Sequence, residues 1–202
     1  MRSFSLESGN CKERIYAFPT GFVLQMSLFK SSKRKAAEST YIHTSKVEET
    51  IKLGEIIGSL LEPGASIALK GELGAGKTVL VKGIAKGLKI EDEPNSPTFV
   101  IMNAYGGRIP LYHFDLYRIS GIDELEGIGY EDYFFGDGVS VIEWAERVDN
   151  ILSEETIKIE ITIPDEQNAD SESERYIKIQ GNEKWLSLFR SMVERALPAS
   201  IK

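Results

Sequence analysis

The sequence has little cysteine, since one residue of its 202, Cys11, is of this type. A single cysteine cannot form an internal disulfide and cannot supply the several thiolates of a structural zinc site. Redox and zinc chemistry are therefore disfavoured. This cysteine usage is typical of a cytoplasmic protein, so we expect a cytoplasmic location.

Long hydrophobic runs are also missing, and no segment approaches the length of a membrane span. The longest apolar cluster near the N-terminus, residues 17–28, is interrupted by Pro19, Gly21, Gln25 and Ser27. No small-residue cleavage pattern follows this cluster. We therefore expect neither a signal peptide nor a membrane anchor.

Positive charge is in deficit, because the chain carries a formal net charge of −7. Affinity for a phosphate backbone depends on accumulated Lys and Arg, so this balance argues against a free-standing nucleic-acid binder. Acidic residues concentrate in stretches such as 165–174. One basic cluster stands out, and we interpret it as a solvated tail. It consists of Lys30, Lys33, Arg34 and Lys35.

What the sequence does contain is a glycine-rich segment, Gly71–Thr78, that fits the pattern G-x-x-x-x-G-K-[ST] at every fixed position. Glycines let such a loop turn back on itself and present successive N–H groups to phosphate oxygens. Lys77 would neutralise the β- and γ-phosphates, and Thr78 would offer its hydroxyl to Mg²⁺. This segment therefore predicts a nucleotide-binding phosphate loop, or P-loop.

The flanking sequence decides between this interpretation and a simple glycine-rich turn. Residues 66–70 form a short, largely apolar run typical of a buried strand. After Thr78, apolar residues recur at helical spacing, so the loop opens onto a helix N-terminus that suits a polyphosphate. These residues are Leu80, Val81, Ile84, Ala85 and Leu88.

Further patterns predict the remaining elements. Ser45 and Glu48 form a capping-box pattern before a helix that Pro63-Gly64 would end. Gly106-Gly107 separates two β-rich runs and predicts a hairpin. Further strands are expected at 139–142, 157–163 and 176–179, and an amphipathic helix at 185–197. The fold class predicted is α/β: a P-loop NTPase-like sandwich with a mixed, largely parallel central sheet, flanking helices and an antiparallel hairpin.

The chain is also expected to divide into two parts. Residues 1–40 show no sustained periodicity and are rich in Ser and Lys, so we predict a poorly ordered N-terminal extension. Residues 41–202 are long enough for one domain with a full-sized core, and they contain the phosphate loop.

Two acidic residues are candidates for the carboxylate that a phosphate-loop site needs near its metal. Asp115 and Glu143 each end an apolar strand-like run. Mg²⁺ requires a hard oxygen ligand, and an attacking water needs an acceptor that orients it. An acidic residue at this position is also a common cap or surface charge, so each residue alone leaves both interpretations open.

Three other positions are ambiguous from pattern alone. Ser96-Pro97-Thr98 lies where a loop could sense the γ-phosphate, or it could be a simple strand entry. His113 would share a strand face with Asp115, where a structural histidine is the default interpretation. Trp144 could stack on a base or fill the core.

Four ordered motifs resemble the bacterial TsaE family, the ATPase of tRNA threonylcarbamoyladenosine biosynthesis. They are Gly71–Thr78, Ser96–Phe99, His113–Arg118 and Val141–Trp144. The resemblance covers about residues 45–165. It implies an Mg²⁺-dependent ATP hydrolase with weak turnover alone. It also implies that this enzyme helps the threonylcarbamoyl-transferase heterodimer to modify adenosine 37 of tRNA, with tRNA met indirectly and no DNA or membrane involved.

The resemblance also implies roles for individual residues. Lys77, Asp115 and Glu143 would be catalytic, and Thr78 and Glu143 would hold the metal. The residues expected to bind nucleotide are Glu72, Leu73, Gly74, Ala75, Gly76, Lys77, Thr78, Val79, Ser96, Thr98 and Trp144. The chain departs from the family pattern in two places: Ala145 stands where Pro or Gly usually follows the Glu-Trp pair, and the N-terminal extension has no counterpart.

Alternative functions remain open at this point. One is a nucleotide-gated binding module in which hydrolysis is not essential, with the aromatic stretch 130–135 as an exposed interface. Another is a small-molecule kinase, although no arginine-rich lid segment follows the loop helix. A GTPase is disfavoured, because the sequence contains neither Asn-Lys-x-Asp nor Asp-x-x-Gly.

Overall fold

A computed structural model describes residues 3–8, 11–17, 23–29, 38–96, 100–119, 121–164 and 172–199. The basic cluster at 30–35 lies outside the described residues. Most of the acidic stretch 165–174 and residues 97–99, which include Thr98, are also outside them.

The described chain contains ten strands and five α-helices. The strands are β1 (Ser3–Ser8), β2 (Cys11–Ala17), β3 (Val23–Phe29), β4 (Glu38–Thr44), β5 (Ser66–Lys70), β6 (Met102–Tyr105), β7 (Leu111–Asp115), β8 (Val139–Glu143), β9 (Ile157–Thr162) and β10 (Arg175–Gly181). The helices are α1 (Val47–Leu60), α2 (Lys77–Gly87), α3 (Asp123–Glu126), α4 (Glu131–Phe134) and α5 (Glu183–Ala199), with a 3-10 helix at Ala145–Val148.

Seven strands form one sheet in the order β4-β10-β9-β5-β8-β7-β6. The four central strands, β9, β5, β8 and β7, are parallel neighbours. β6 and β10 pair antiparallel at the two sides, and β4 pairs antiparallel with β10. The predicted mixed sheet with a parallel centre and an antiparallel hairpin is confirmed. Because β5, β7 and β8 run the same way, their carboxyl ends meet at one edge of the sheet.

Alternating side chains of the central strands enter two apolar layers. Ile67 and Leu69 of β5 pack into a cluster with α1, α2 and α5, whereas Ala68 packs into the cluster on the opposite face. Phe114 and Phe134 belong to that second cluster. Both faces of β5 and β8 are therefore covered, which explains why these strands read as continuous apolar runs.

The aromatic stretch 130–135 belongs mostly to this second layer. Tyr130 is 8% exposed and Phe134 3% exposed, and among the four aromatic residues of the stretch only Phe135, at 58%, is exposed. The expectation of an exposed aromatic interface was wrong, because the short helix α4 turns the first aromatics of the stretch onto β8.

Helices α1 and α2 touch through their backbones. An added Cβ on Gly54 of α1 would lie 2.4 Å from the carbonyl oxygen of Leu80, and one on Gly83 of α2 would lie 2.2 Å from that of Ile51. Real Cβ atoms do not approach oxygen this closely. Helix α2, which begins in the glycine-rich segment, is therefore fixed against α1.

The start of α1 differs by one residue from the predicted capping box. The N-cap is Lys46, and the backbone N–H of Ser45 donates to Oε2 of Glu49 at 2.7 Å. The acidic partner is Glu49 and not Glu48, because the helix begins at Val47 and places Glu49 at its third position.

The division into an extension and a domain stays a prediction. β1, β2 and β3 form a three-stranded antiparallel sheet of their own. β4 begins at Glu38, within the segment assigned to the extension, and joins the seven-stranded sheet. Among the described helices, none combines the length and the apolar composition needed to cross a membrane.

Candidate functional site

The glycine-rich segment forms the loop between β5 and α2, as predicted. Gly71 and Gly76 have φ angles of 145° and 97°, in the region that favours glycine. A Cβ on Gly71 would lie 2.4 Å from the carbonyl oxygen of Ile161 in β9. The loop therefore begins in direct backbone contact with β9 and ends at Gly76, the N-cap of α2.

Lys77 folds its side chain back over this loop. Its Nζ donates to the carbonyl oxygens of Gly71 at 2.7 Å and Glu72 at 2.9 Å, and it lies 3.8 Å from the centroid of the Trp144 ring. The residue is 5% exposed. Burial lowers the pKa of Lys77 below its usual 10.5, and the nearby carboxylates of Glu143 and others oppose this shift.

Glu143 is the meeting point of two other side chains. Its Oε1 accepts a hydrogen bond from Oγ1 of Thr78 at 2.9 Å and lies 2.9 Å from Nε2 of His113. Both Glu143 and His113 are buried. A carboxylate oxygen accepts, so His113 donates to Glu143 in the tautomer that carries its proton on Nε2. His113, for which a structural role was the default interpretation, therefore contacts the proposed metal ligand Glu143 directly.

Asp115 lies opposite Glu143 in the pairing of β7 with β8. Its Oδ2 accepts from the hydroxyl of Ser96, and its Oδ1 accepts from the backbone N–H of Tyr117 at 3.0 Å. The two strand-ending carboxylates therefore sit side by side at the edge where the phosphate loop lies. Ser96 is drawn to one of them.

Trp144 follows Glu143 in a left-handed conformation, with φ 59° and ψ 40°. It precedes the 3-10 helix, whose first residue, Ala145, is fully buried. This turn sends the indole ring towards Lys77 and Tyr117, and the Tyr117 and Trp144 ring centroids lie 4.9 Å apart. At Ala145, where the chain departs from the family pattern, the left-handed backbone of Trp144 makes the turn and the small Ala145 side chain is buried behind it.

These groups border a cleft of about 670 Å³. Ten of the residues expected to bind nucleotide, bind metal or catalyse line it: Leu73, Gly74, Gly76, Lys77, Thr78, Val79, Ser96, Asp115, Glu143 and Trp144. Glu72 and Ala75 do not line it. Ala75 is fully buried, and the carbonyl oxygen of Glu72 accepts a hydrogen bond from Nζ of Lys77.

The cleft also contains residues that sequence reasoning did not select: Val100, Ile101, Tyr117, Arg118, Ile119 and Glu124. A signal existed for Tyr117 and Arg118, because they complete the His-Phe-Asp-Leu-Tyr-Arg motif. No pattern indicated Val100 or Ile101, which reach the cleft only because β6 folds back beside β7.

Two hard oxygen donors at the cleft fit magnesium. Among the described residues, no three His, Cys, Asp or Glu side chains cluster around a common point. Mg²⁺ is commonly held by one or two protein oxygens together with waters and substrate phosphates. Oγ1 of Thr78 and the carboxylate of Glu143 are hard oxygen donors of this kind, and they are in mutual contact.

Comparisons with known proteins identify the family of this chain. A model of the family described as threonylcarbamoyl adenosine biosynthesis protein TsaE matches residues 44–175. The tRNA threonylcarbamoyladenosine biosynthesis protein TsaE of Treponema pallidum is 44% identical over 116 residues, 57% of this chain and 86% of that protein. The protein of the same name in Bacillus subtilis is 43% identical over 119 residues, 58% of this chain and 74% of its own length.

The fold has a solved counterpart as well. The crystal structure of YdiB from Bacillus subtilis superposes with a TM-score of 0.61 at 29% identity, covering 80% of this chain and 99% of that one. The family match spans more than half of the chain, and it includes the phosphate loop, the strand-ending carboxylates and the Glu-Trp pair. The chain therefore belongs to the TsaE family.

Proposed function

We propose that this chain is an Mg²⁺-dependent ATP hydrolase that serves threonylcarbamoyladenosine modification of tRNA at position 37. The observation that carries the proposal is the contact of Thr78, at the first turn of α2, with Glu143 at the end of β8. It joins a phosphate loop to a carboxylate beside the expected metal position. The family and its named relatives support the biosynthetic role.

The loop suits a triphosphate because its glycines and the first residues of α2 line one cleft. Gly74, Gly76 and Thr78 line this cleft together with Lys77. Helix N-termini favour anions through unpaired N–H groups and the helix dipole. Lys77 would exchange its loop carbonyls for phosphate oxygens, and Trp144, which lies against it, would contact the nucleotide.

Thr78 and Glu143 would hold Mg²⁺, which when bound supplies positive charge to the β- and γ-phosphate oxygens. His113 keeps Oε1 of Glu143 in place through its Nε2–H. Asp115 would orient the attacking water and accept its proton, since its carboxylate lies across the strand pairing from Glu143. Ser96 donates to Asp115, and Thr98 belongs to the same proposed sensor loop.

The proposed partners follow from the family. The chain would act on the threonylcarbamoyl-transferase heterodimer in the cytoplasm and meet tRNA only through that complex. Hydrolysis by the chain alone would be weak and would rise when the heterodimer is present.

Two substitutions test the proposal. Lys77→Ala should abolish ATP binding, because it removes the cation of the loop. Glu143→Ala should retain binding and lose turnover, because the nucleotide still has the loop but the metal loses its carboxylate. Calorimetry measures binding, and phosphate release measures turnover.

Glu194→Ala is the matched control, since Glu194 is exposed on α5 and lies outside the cleft. Normal turnover in Glu143→Ala would remove Glu143 from the mechanism. Absence of any binding heat with wild-type protein and Mg²⁺–ATP would contradict the function itself.

A second candidate is a nucleotide-gated binding module. It is favoured by apolar side chains exposed at the cleft mouth: Leu73 is 73% exposed, Val100 56% and Tyr117 46%. Such a rim could anchor a partner only when nucleotide is bound. Repeated rounds of tRNA modification with a non-hydrolysable ATP analogue would favour this module over the hydrolase.

A further inference from the structure

Arg175 is the first residue of β10 and does not line the cleft. Its side chain nevertheless donates hydrogen bonds to the phosphate loop. Its Nε donates to the carbonyl oxygen of Ala75 at 2.8 Å, and Nη2 donates to that of Gly74 at 3.2 Å. Its Nη1 donates to the carbonyl oxygens of Glu172 at 2.8 Å and Glu174 at 2.6 Å. One guanidinium thus joins the phosphate loop to the start of β10.

The two loop carbonyls matter because a peptide unit is planar and trans, with C=O and N–H pointing in opposite directions. The carbonyl of Ala75 points to Arg175, so the N–H of Gly76 points away from it. Gly76 lines the cleft and is the N-cap of α2, whereas Ala75 is fully buried and does not line the cleft. Holding the Ala75 carbonyl therefore aims the Gly76 amide towards the side where phosphate would bind.

The neighbouring peptide unit has a different arrangement. The N–H of Ala75 donates to the carbonyl oxygen of Glu72 at 3.1 Å, inside the loop. Arg175 holds the carbonyl of the same unit, that of Gly74, from the other side. This unit is therefore fixed at both ends. A loop with glycines at 74 and 76 gains most from such external bonds, because its own backbone restricts it least.

The charge of Arg175 also bears on the site. Its four acceptors are neutral carbonyl oxygens, so these four hydrogen bonds do not neutralise the guanidinium charge. An ideal Cβ on Gly76 would lie 3.8 Å from Nε, which places this cation directly behind the loop. It adds to the positive potential that Lys77 and the N-terminus of α2 present to a polyphosphate.

We propose that Arg175 is a positioning residue that holds the phosphate loop in its nucleotide-accepting conformation from the β10 side. This inference rests on the proposed nucleotide binding. Gly71, at the start of the loop, lies against the Ile161 carbonyl of β9, and Arg175 of β10 binds the loop at Ala75. Strands β9 and β10 therefore contact the loop at two separate points. A planar fork of donors is required for this role, which a lysine ammonium does not supply.

The test is the affinity of the full chain for Mg²⁺–ATP and for ADP, measured by calorimetry on wild type, Arg175→Ala, Arg175→Lys and Arg108→Ala. Arg108 is the matched control, because its Nη2 donates to the carbonyl oxygens of Gly58, Ser59 and Leu61, which lie at the end of α1 and outside the cleft. Arg175→Ala should raise the Kd for both nucleotides about tenfold, and millimolar guanidinium should restore part of the loss. Arg108→Ala should leave the Kd unchanged.

Arg175→Lys separates charge from geometry and also serves if the alanine variant does not fold. It should bind more weakly than wild type, and a Kd within twofold of wild type would overturn the proposal. So would an unchanged Kd in Arg175→Ala, or an equal loss in Arg108→Ala. A wild-type chain that shows no binding heat would instead remove the proposed function, so the two failures are distinguishable.

Discussion

At the scale of single residues, the oxygen Oε1 of Glu143 combines two roles. It accepts from Thr78, which connects it to the phosphate loop, and it contacts His113, which is fully buried in β7. A carboxylate fixed by two partners offers its remaining oxygen in one defined position. Partners of this kind orient metal ligands, and their loss typically lowers metal affinity or activity.

Replacing His113 with alanine should therefore raise the Mg²⁺ concentration needed for half-maximal ATP turnover by about tenfold. The physical reason is that Glu143 keeps its charge but loses the donor that sets its orientation. Turnover measured across a magnesium titration checks this expectation. His43→Ala is the control, since His43 lies on β4 and does not line the cleft. An unchanged magnesium requirement in His113→Ala would show that Thr78 alone orients the carboxylate.

Lys77 gives a prediction about pH. Burial lowers its pKa below 10.5 in the folded chain, so between the lowered pKa and 10.5 the unfolded chain holds a proton that the folded chain has lost. Stability rises with pH wherever the unfolded state binds more protons. The free energy of unfolding of wild type relative to Lys77→Met should therefore increase as pH rises towards 10.5. Urea unfolding of the nucleotide-free proteins at several pH values measures it, and a difference that falls with pH would contradict the buried position of this ammonium.

At the scale of elements, the pair α1 and α2 shows how packing reverses a local preference. Alanine in a helix is favoured over glycine by about 1 kcal/mol. At Gly54 and Gly83 the partner backbone occupies the space that a methyl group would need. Packing decides the residue type at these positions, and it also decides where α2 places the phosphate loop.

Gly83→Ala should consequently destabilise the protein by about 1–3 kcal/mol, the usual cost of overpacking, although alanine is the better helix former. Gly106→Ala is the control, because no atom lies within 4 Å of the position its Cβ would take. Chemical denaturation of the two variants measures the difference. A Gly83→Ala variant as stable as wild type would mean that the two helices can separate at little cost.

The elements themselves were largely predictable from sequence. β5 has the predicted bounds, β8 coincides with the apolar run that ends at Glu143, and the Gly106-Gly107 turn joins β6 to β7. Each of these depends on local pattern: a buried apolar run, a glycine pair or a phosphate-loop spacing. The predicted acidic capping residue of α1 was wrong by one position. Glu48 and Glu49 are equally acidic, and only the start of the helix distinguishes them.

At the scale of the whole molecule, contacts between segments that are distant in sequence could not be predicted. Periodicity identifies β10 as a strand but says nothing about its neighbours, so Arg175 could not be connected to Ala75, although one donates to the other. His113 was likewise placed on a strand face without its partner, because the β7–β8 register is a property of the sheet. The family and the fold class were predictable, because ordered motifs carry both.

The two apolar layers make a prediction about the first part of the chain. Their described members begin at Ile42, and β4 begins at Glu38. A fragment of residues 38–202 should therefore fold, unfold within a few degrees of the full chain, and bind Mg²⁺–ATP with the same Kd. Thermal unfolding and calorimetry on both proteins measure this. A fragment that aggregates or loses nucleotide affinity would show that the predicted extension is part of the domain.

The contacts of Lys77 have a consequence for turnover. Its ammonium has two main-chain acceptors and an aromatic face, so a triphosphate bound as proposed would replace these partners. The affinity for nucleotide would then depend on the difference in free energy between the phosphate contacts of Lys77 and its contacts with the loop and Trp144. Under the proposed hydrolase function, departure of the product nucleotide would return the ammonium to these partners, which would lower the free-energy cost of product release and favour repeated cycles.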